Sequence, residues 1–524
     1  MPSSPRAGLA PDACCQGAIF HEGGNKVRLY RKPHLLLITT DQQRGDCLGC
    51  AGHPAVETPY IDELAAGGTR FRSAYTSVPS CTPARAAIIT GMEPWNHGRL
   101  TMTGSDPLEY PATLPGELSA AGYHTQLVGK AHHAPQRARY GFDNMVLDES
   151  GRREPGFVSD YHAHFDRARE GEYGYRDHSV DWNSWMARPS HLPEHLHPTY
   201  WTAGEGIRAL ENRDPTSPLF LWLSFARPHS PYDPPQSYWD MYVDHAEIPK
   251  AHVGAWSDRY DHNVADVNAP RSHRSDRETH RARAGYYGNI TFIDHQIGRF
   301  LYEFRKRDPE GLANTLILFT SDHGDMMGDH HHWRKTYAYE GSARIPFVVH
   351  WPTAWGEDAP RGQVRDEPIE LRDIMPTLLD AAHADIPASV DGSSLLSLAN
   401  GTSDPWREFV QGEHTSCYDD EHGMQYVTDG RQKYVWFHHT GAEQFFDLTT
   451  DPGECVDLSA ETFWQARIEV WRRRLADIDE QRGDPRGLSG QLVSQPEGAL
   501  RLSPNYARWR DRAAATIQDW RTEA

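Results

Sequence analysis

Ser80-Cys81-Thr82-Pro83-Ala84-Arg85 places a cysteine just before the helix-forming run Ala86-Ala87-Ile88-Ile89-Thr90-Gly91. Pro83 suits a first helical turn, because its missing N–H is not needed there. Cys81 is therefore expected near a helix N-terminus, where unpaired backbone N–H groups and the helix dipole favour an anion. Arg85 follows four residues later, one turn on and on the same face. Other chemistry-bearing residues come directly after apolar runs. Asp41 ends the run Leu35-Leu36-Leu37-Ile38-Thr39-Thr40, and Lys130 and His132 follow the short run 125–128. His229 follows 219–225, and Asp322 and His323 follow 315–320. The carboxyl ends of buried parallel strands are where open α/β sheets place their chemistry.

Those runs need a sheet to hold them. Continuous apolar strands, rather than alternating ones, indicate burial on both faces. Helical patterns at 60–66, 82–90, 113–121, 200–212 and 284–307 lie between them, and this alternation predicts a large, mostly parallel α/β sheet flanked by helices on both faces. The stretches 149–200 and 236–278 are rich in His, Tyr, Trp, Asp and Arg and only weakly periodic. They read either as binding loops or as surface loops without a role in the chemistry. Beyond residue 400 the pattern changes. Short strands at 409–413, 425–428, 433–437 and 444–448 precede an amphipathic helix at 463–478, which predicts a small C-terminal α+β domain of antiparallel strands and one helix. The expected organisation is an extension at 1–32, a catalytic domain at 33–400, the small domain at 401–480, and a tail at 481–524 that either packs on a second copy as an oligomerisation arm or is a simple tail.

The Cys-x-Pro-x-Arg pattern, with Asp41, the Gly129-Lys130-Ala131-His132 stretch, Pro228-His229-Ser230-Pro231, Ser321-Asp322-His323-Gly324 and Lys335 in that order, resembles the sulfatases of the alkaline phosphatase superfamily. The resemblance runs from about residue 33 to 479. It implies an alkaline phosphatase-like fold and a sulfuric ester hydrolase acting on a small-molecule sulfate monoester, in the manner of an arylsulfatase. It implies that Cys81 is oxidised by a formylglycine-generating maturation enzyme, and that the hydrated aldehyde attacks sulfur. It implies one divalent cation, calcium or manganese, on Asp41, Gln42, residue 81, Asp322 and His323. Arg85, Lys130, His132, His229 and Lys335 then become the catalytic set, with His229 as proton donor to the leaving oxygen and His132 as base. Arg344 supports the lysine loop.

One departure bears on the reaction. Many sulfatases carry two aspartates where this chain has Asp41-Gln42, and a glutamine there is similar to phosphonate monoester and phosphodiester hydrolases. Those enzymes typically replace the Lys-x-His pair with uncharged residues, whereas Lys130 and His132 are both present. Sulfate is therefore the expected substrate and phosphonate or phosphodiester the alternative. The run His330-His331-His332 reads as a loop at the pocket mouth in preference to a second metal site. Cys47 and Cys50 read as loop residues in preference to a redox or zinc pair.

Asp plus Glu total 73 against 53 Lys plus Arg, a formal net charge of −20. Such a balance argues against nucleic acid and anionic membranes as partners. No apolar run is long enough to cross a bilayer, and the first 30 residues lack the apolar core of a secretory signal, so a cytoplasmic location is expected.

Overall fold

The computed structural model describes residues 19–22, 25–28, 32–149, 151–152, 156–359, 361–399, 405–416 and 418–523. Within the N-terminal extension, Ile19–Glu22 and Asn25–Arg28 pair as an antiparallel hairpin. Cys14 and Cys15 lie outside the described residues.

Eight strands form the main sheet: β1 (His34–Asp41), β2 (Gly68–Phe71), β3 (His124–Gly129), β4 (Asn144–Leu147), β5 (Leu219–Pro228), β6 (Thr315–Ser321), β7 (Phe347–His350) and β8 (Gln363–Arg365). Their order is β8-β2-β7-β6-β1-β5-β3-β4. The pairs β6-β1, β1-β5, β5-β3 and β3-β4 are parallel, and β7 runs against both β6 and β2. The continuous apolar runs are explained by two cores. Leu35 and Leu37 of β1, Phe220 and Trp222 of β5, and Leu316 and Leu318 of β6 face one core. Leu36 and Ile38, Leu221 and Leu223, and Ile317 and Phe319 face the other. Successive side chains of a strand point to opposite faces, so both registers must be apolar when helices cover both sides.

The first core is closed by α1 (Cys81–Thr90) and by a helix at Ile374–Ala381, the second by α2 (Pro198–Asn212) and α3 (Asp276–Arg307). Helix α3 starts eight residues earlier than its apolar pattern suggests. A capping box sets the start: Ser275 Oγ accepts from the Glu278 N–H, and the Glu278 carboxylate accepts from the Ser275 N–H. Its first two turns are polar and partly exposed, and Arg283 at their end points inward to pair with buried Asp329.

The small domain is a four-stranded antiparallel meander, β9 (Val410–His414), β10 (Met424–Thr428), β11 (Gln432–Phe437) and β12 (Glu443–Asp447), with α4 (Gln465–Arg482) on one face. Val427, Tyr434, Trp436 and Phe445 pack against Ile468, Trp471 and Leu475 of that helix. The opposite face, Val410, Met424, Tyr426, Val435 and Phe446, packs on Tyr75, Met326, Tyr337 and Tyr339 of the large domain. Fully burying side chains of this size stabilises by about 1.5–3 kcal/mol each.

Part of the tail also folds back. Helix α5 (Pro504–Glu523) places Tyr506 and Trp509 against Met92, Leu108 and Tyr110 of the same chain, and the Trp509 indole N–H donates to Asn96 O at 2.8 Å. Among the described residues no helix is long and apolar enough to cross a membrane. Cys47 and Cys50 form no disulfide.

Candidate active site

Helix α1 begins at Cys81 itself. Ser80 is the extended residue before it, and its hydroxyl meets His414 Nε2 of β9 at 3.1 Å, so the small domain braces the entry to the helix. Cys81 is 1 % exposed. Its Sγ lies 3.1 Å from His323 Nε2, 3.5 Å from Asp41 Oδ1 and 3.7 Å from Lys130 Nζ, and it accepts from Lys335 Nζ at 3.0 Å. Four residues from four separate places in the sequence thus converge on one atom. Asp41 ends β1, Lys130 follows β3, His323 follows β6, and Lys335 sits in the loop beyond.

Charges in this cluster fix one another. Burial alone would push the Asp41 carboxyl up, yet Lys130, His229, Lys335 and His323 together hold it well below the usual carboxylate range. Lys130 forms a buried ion pair with Asp41. Burial and Asp41 push the Cys81 thiol up, but Lys130, Lys335 and His323 outweigh them and bring it below its ordinary value. Arg85 spans the floor. Its Nε donates to Asp322 Oδ2 at 3.0 Å, and its Nη1 donates to Lys130 O and Ser224 Oγ. Arg85 Nη2 has no hydrogen-bond partner among the described residues.

His229 enters through a loop after β5. Its Nδ1–H donates to Ser230 O at 2.8 Å, which leaves Nε2 as the acceptor, 3.1 Å from Lys335 Nζ. Burial, and then Lys335, push its imidazole well below its ordinary value, so it is neutral in the resting protein. Trp182 stacks on it at 5.6 Å and 30°. His132 stands apart from the sulfur, on the wall of the same cavity. It adopts a left-handed conformation (φ 57°), held by its own N–H and that of Ala131 donating to Glu149 Oε1. Burial, and then Lys130, hold its imidazole well below its ordinary value, and Nδ1 has no hydrogen-bond partner among the described residues.

Asp41, Cys81, Asp322 and His323 offer ligand atoms within 4.8 Å of one another. His323 Nδ1–H donates to Gly324 O at 2.9 Å, which fixes the tautomer and leaves Nε2 available. Gln42 joins this group through a strained backbone (φ 75°). Its N–H donates to Asp322 Oδ1 at 3.1 Å, and its Nε2 donates to Asp325 Oδ2 at 2.5 Å. Its Oε1 is buried without a partner, an expensive state for a carbonyl oxygen. Hard oxygen donors with one imidazole and an orphaned carbonyl fit a divalent cation.

A cavity of about 180 Å3 opens onto this cluster, with Lys130, His132, His229 and Lys335 on its inner wall and Met102, Arg152, Trp182 and Asn183 toward its mouth. Every predicted site residue therefore belongs to one constellation, directly or through a shared partner. Arg344 lies outside it and pairs with Glu340, at the end of the lysine loop. Four contributors went unread in the sequence: Ser224, Glu149, Asp325 and His414. Asp325 was visible as the last residue of Ser321-Asp322-His323-Gly324-Asp325, but its partners Gln42 and Tyr232 are set only by folding.

One expectation needs correction, and one open reading is narrowed. The histidine run does not line the cavity. His330 packs on Trp256 and His332 edge-on to Tyr337 and Tyr260. The aromatic stretch 161–201 mostly packs on itself, with Tyr161, Phe165, Tyr175 and Trp201 in one separate cluster, and only Trp182 and Asn183 of it reach the cavity.

An open, mostly parallel sheet with a carboxylate cluster, two lysines and a buried cysteine at a helix N-terminus makes a site suited to a tetrahedral oxyanion. Residues 33–384 match the family model Sulfatase, and 328–481 match N-sulphoglucosamine sulphohydrolase, C-terminal. An arylsulfatase of Clostridium perfringens is 43% identical over 471 residues, covering 87% of this chain and 96% of that relative. A choline-sulfatase of Rhizobium meliloti is 28% identical and covers 82% of each. The solved structure of the phosphonate monoester hydrolase of Agrobacterium radiobacter superposes with a TM-score of 0.70 at 24% identity, covering 86% of this chain and 96% of that one, which shows the shared fold. The chain belongs to the sulfatase family and is a sulfuric ester hydrolase.

Proposed function

We propose that the chain hydrolyses a sulfate monoester of an aryl or similarly flat alcohol, with residue 81 as nucleophile after oxidation of its cysteine to formylglycine and hydration. The observation that carries this reading is the convergence of Asp41, Lys130, His323 and Lys335 on the Cys81 sulfur, at the inner end of a cavity. The oxidation removes the sulfur and requires a maturation enzyme to supply the oxidant. A divalent cation, calcium or manganese, fits the donors Asp41, Gln42, Asp322 and His323, and when bound it supplies positive charge that favours ionisation of a nearby hydroxyl and binding of the sulfate.

The residues divide the remaining work. One hydroxyl of residue 81 forms a bond to sulfur while the ester S–O bond breaks opposite it. Lys130 and Lys335 stabilise the sulfuryl oxygens. The unpartnered Arg85 Nη2 supports the reading that this guanidinium orients residue 81. Charge collects on the departing oxygen, and the Lys335–His229 pair, hydrogen bonded Nζ to Nε2, delivers the proton to it. His132, neutral in the resting state, accepts the proton of the second hydroxyl. The carbon–oxygen bond then breaks, sulfate leaves, and the aldehyde is restored for hydration. Trp182, stacked on His229, lies where the leaving group departs and suits an aromatic ring or the flat face of a sugar.

Gln42 supports the phosphonate alternative, and Lys130 with His132 weighs against it. Catalytic efficiency on matched aryl sulfate and aryl phosphonate esters separates the two: sulfate is expected to lead by at least tenfold. Cys81→Ala, folded and loaded with metal, is expected to lose all measurable aryl sulfatase activity. Retained activity would remove residue 81 from the mechanism.

A further inference from the structure

The histidine run splits. His330 and His331 both adopt left-handed backbone conformations (φ 54° and 63°), and between them they turn His331 away from its neighbours. His330 accepts from the Gly254 N–H at 3.2 Å and packs on Trp256, and His332 packs among Tyr260, Tyr337 and Tyr339. His331 instead stacks on His273, with ring centroids 5.1 Å apart. The residue is 8 % exposed, yet no described group hydrogen-bonds its imidazole. His273 Nδ1 is 2.6 Å from Asp261 Oδ1, and both of these side chains are about half exposed. One ligand atom from each of Asp261, His273 and His331 lies within 4.8 Å of the other two.

We propose that Asp261, His273 and His331 bind a second, transition-metal ion of the zinc class, separate from the catalytic cation. Two imidazole nitrogens and one carboxylate oxygen are a donor set for zinc, with water in the fourth position. The set is softer than the oxygen-dominated cluster at Asp41, so the two sites sort different ions. The backbone is already arranged for it. The Ser272 N–H donates to His331 O at 2.8 Å, the Trp333 N–H donates to Pro270 O at 2.9 Å, and the His273 N–H donates to His262 O at 2.9 Å, so the ligand-bearing segments are held in register. His331 lies four residues before Lys335. The ion therefore staples segment 255–273 to the loop that carries the catalytic lysine.

The test uses the full chain, stripped with chelator, saturated with calcium to fill the oxygen-rich site, and titrated with zinc. Wild type is expected to bind one zinc per chain, with an X-ray absorption signature of two imidazoles, and to gain resistance to proteolysis within 255–273. His331→Asn keeps a residue that tolerates the left-handed backbone, and His273→Gln and Asp261→Asn change exposed side chains. Each is expected to weaken zinc binding at least tenfold while leaving aryl sulfatase turnover in calcium unchanged. Zinc content equal in wild type and all three variants, or no zinc bound by wild type in calcium, overturns the proposal.

Discussion

At the residue scale, the pair Lys335 and His229 shows how position sets protonation. Lys335 donates to both the Cys81 sulfur and the His229 Nε2. Burial pulls its own ammonium down, but Cys81 and Asp41 more than reverse this and keep it charged. A charged lysine against a buried imidazole leaves that imidazole neutral. Lys335→Met is therefore expected to do two things. Turnover should fall about 10²–10³-fold, the usual loss for one preorganised charge at a reacting oxyanion. The residual activity should also show the limb set by His229 moved to higher pH, because one of the three influences depressing it (burial, Lys335 and Lys130) is gone. A pH–rate profile of the variant on an aryl sulfate checks both, and an unshifted limb would mean that Lys335 does not set the His229 titration.

At the element scale, one buried lysine adds a charged tie to the apolar joint between the domains. Lys433 of β11 is fully buried and donates to Glu340 Oε1 at 2.7 Å, Glu454 Oε1 at 2.9 Å and Ala338 O at 2.8 Å. It therefore ties the meander to the loop just beyond Lys335. Removing one member of a buried charged group leaves the others uncompensated, at a cost of about 3–5 kcal/mol. Lys433→Met should lower unfolding stability by that amount, read by urea denaturation. The double replacement Lys433→Met with Glu340→Gln should recover part of the loss. The same joint shows what the sequence could and could not reveal. The strand ends bearing Asp41, Lys130, His229 and Asp322 were readable because double-sided burial leaves long apolar runs ending in polar residues. β7 was not. Phe347-Val348-Val349 is too short to declare itself, and nothing local announces that it runs against both neighbours. The start of α3 was marked by Ser275 and Glu278, but a polar first turn hid it. Residues such as Ser224 and His414 act only through partners far along the chain, and no spacing encodes them.

At the scale of the whole molecule, buried histidines set the response to acid. Burial pushes His53 and His133 down to about 4, and His97, His414 and His438 down to about 3. Each is neutral when folded and takes up a proton on unfolding once the pH drops below 6.5. The unfolded state then binds more protons, so the stability these groups provide is complete above pH 6.5 and is lost as the pH falls toward 4. Buried carboxyls work the other way. Burial pushes Asp294 up to about 7 and also raises Glu454 and Asp479, so they recover stability over the same descent. Lowered histidines outnumber raised carboxyls among the described residues, so stability falls as the pH drops from 6.5 toward 4. Denaturant midpoints at pH 7, 6 and 5 should fall in that order, and a midpoint that rises on acidification would contradict the assignment.

The cavity also divides the chain's heredity. Its inner wall comes from residues at or beyond the ends of strands that the two cores hold in place. Most of its mouth comes from Arg152, Trp182 and Asn183, in a long connection that leaves β4 and returns to the sheet only through α2. Bond breaking and choice of alcohol are thus carried by segments under different constraint. Under the proposed function, substitutions in the connection would alter the fit of the alcohol and leave the sulfate end of the ester against the same residues.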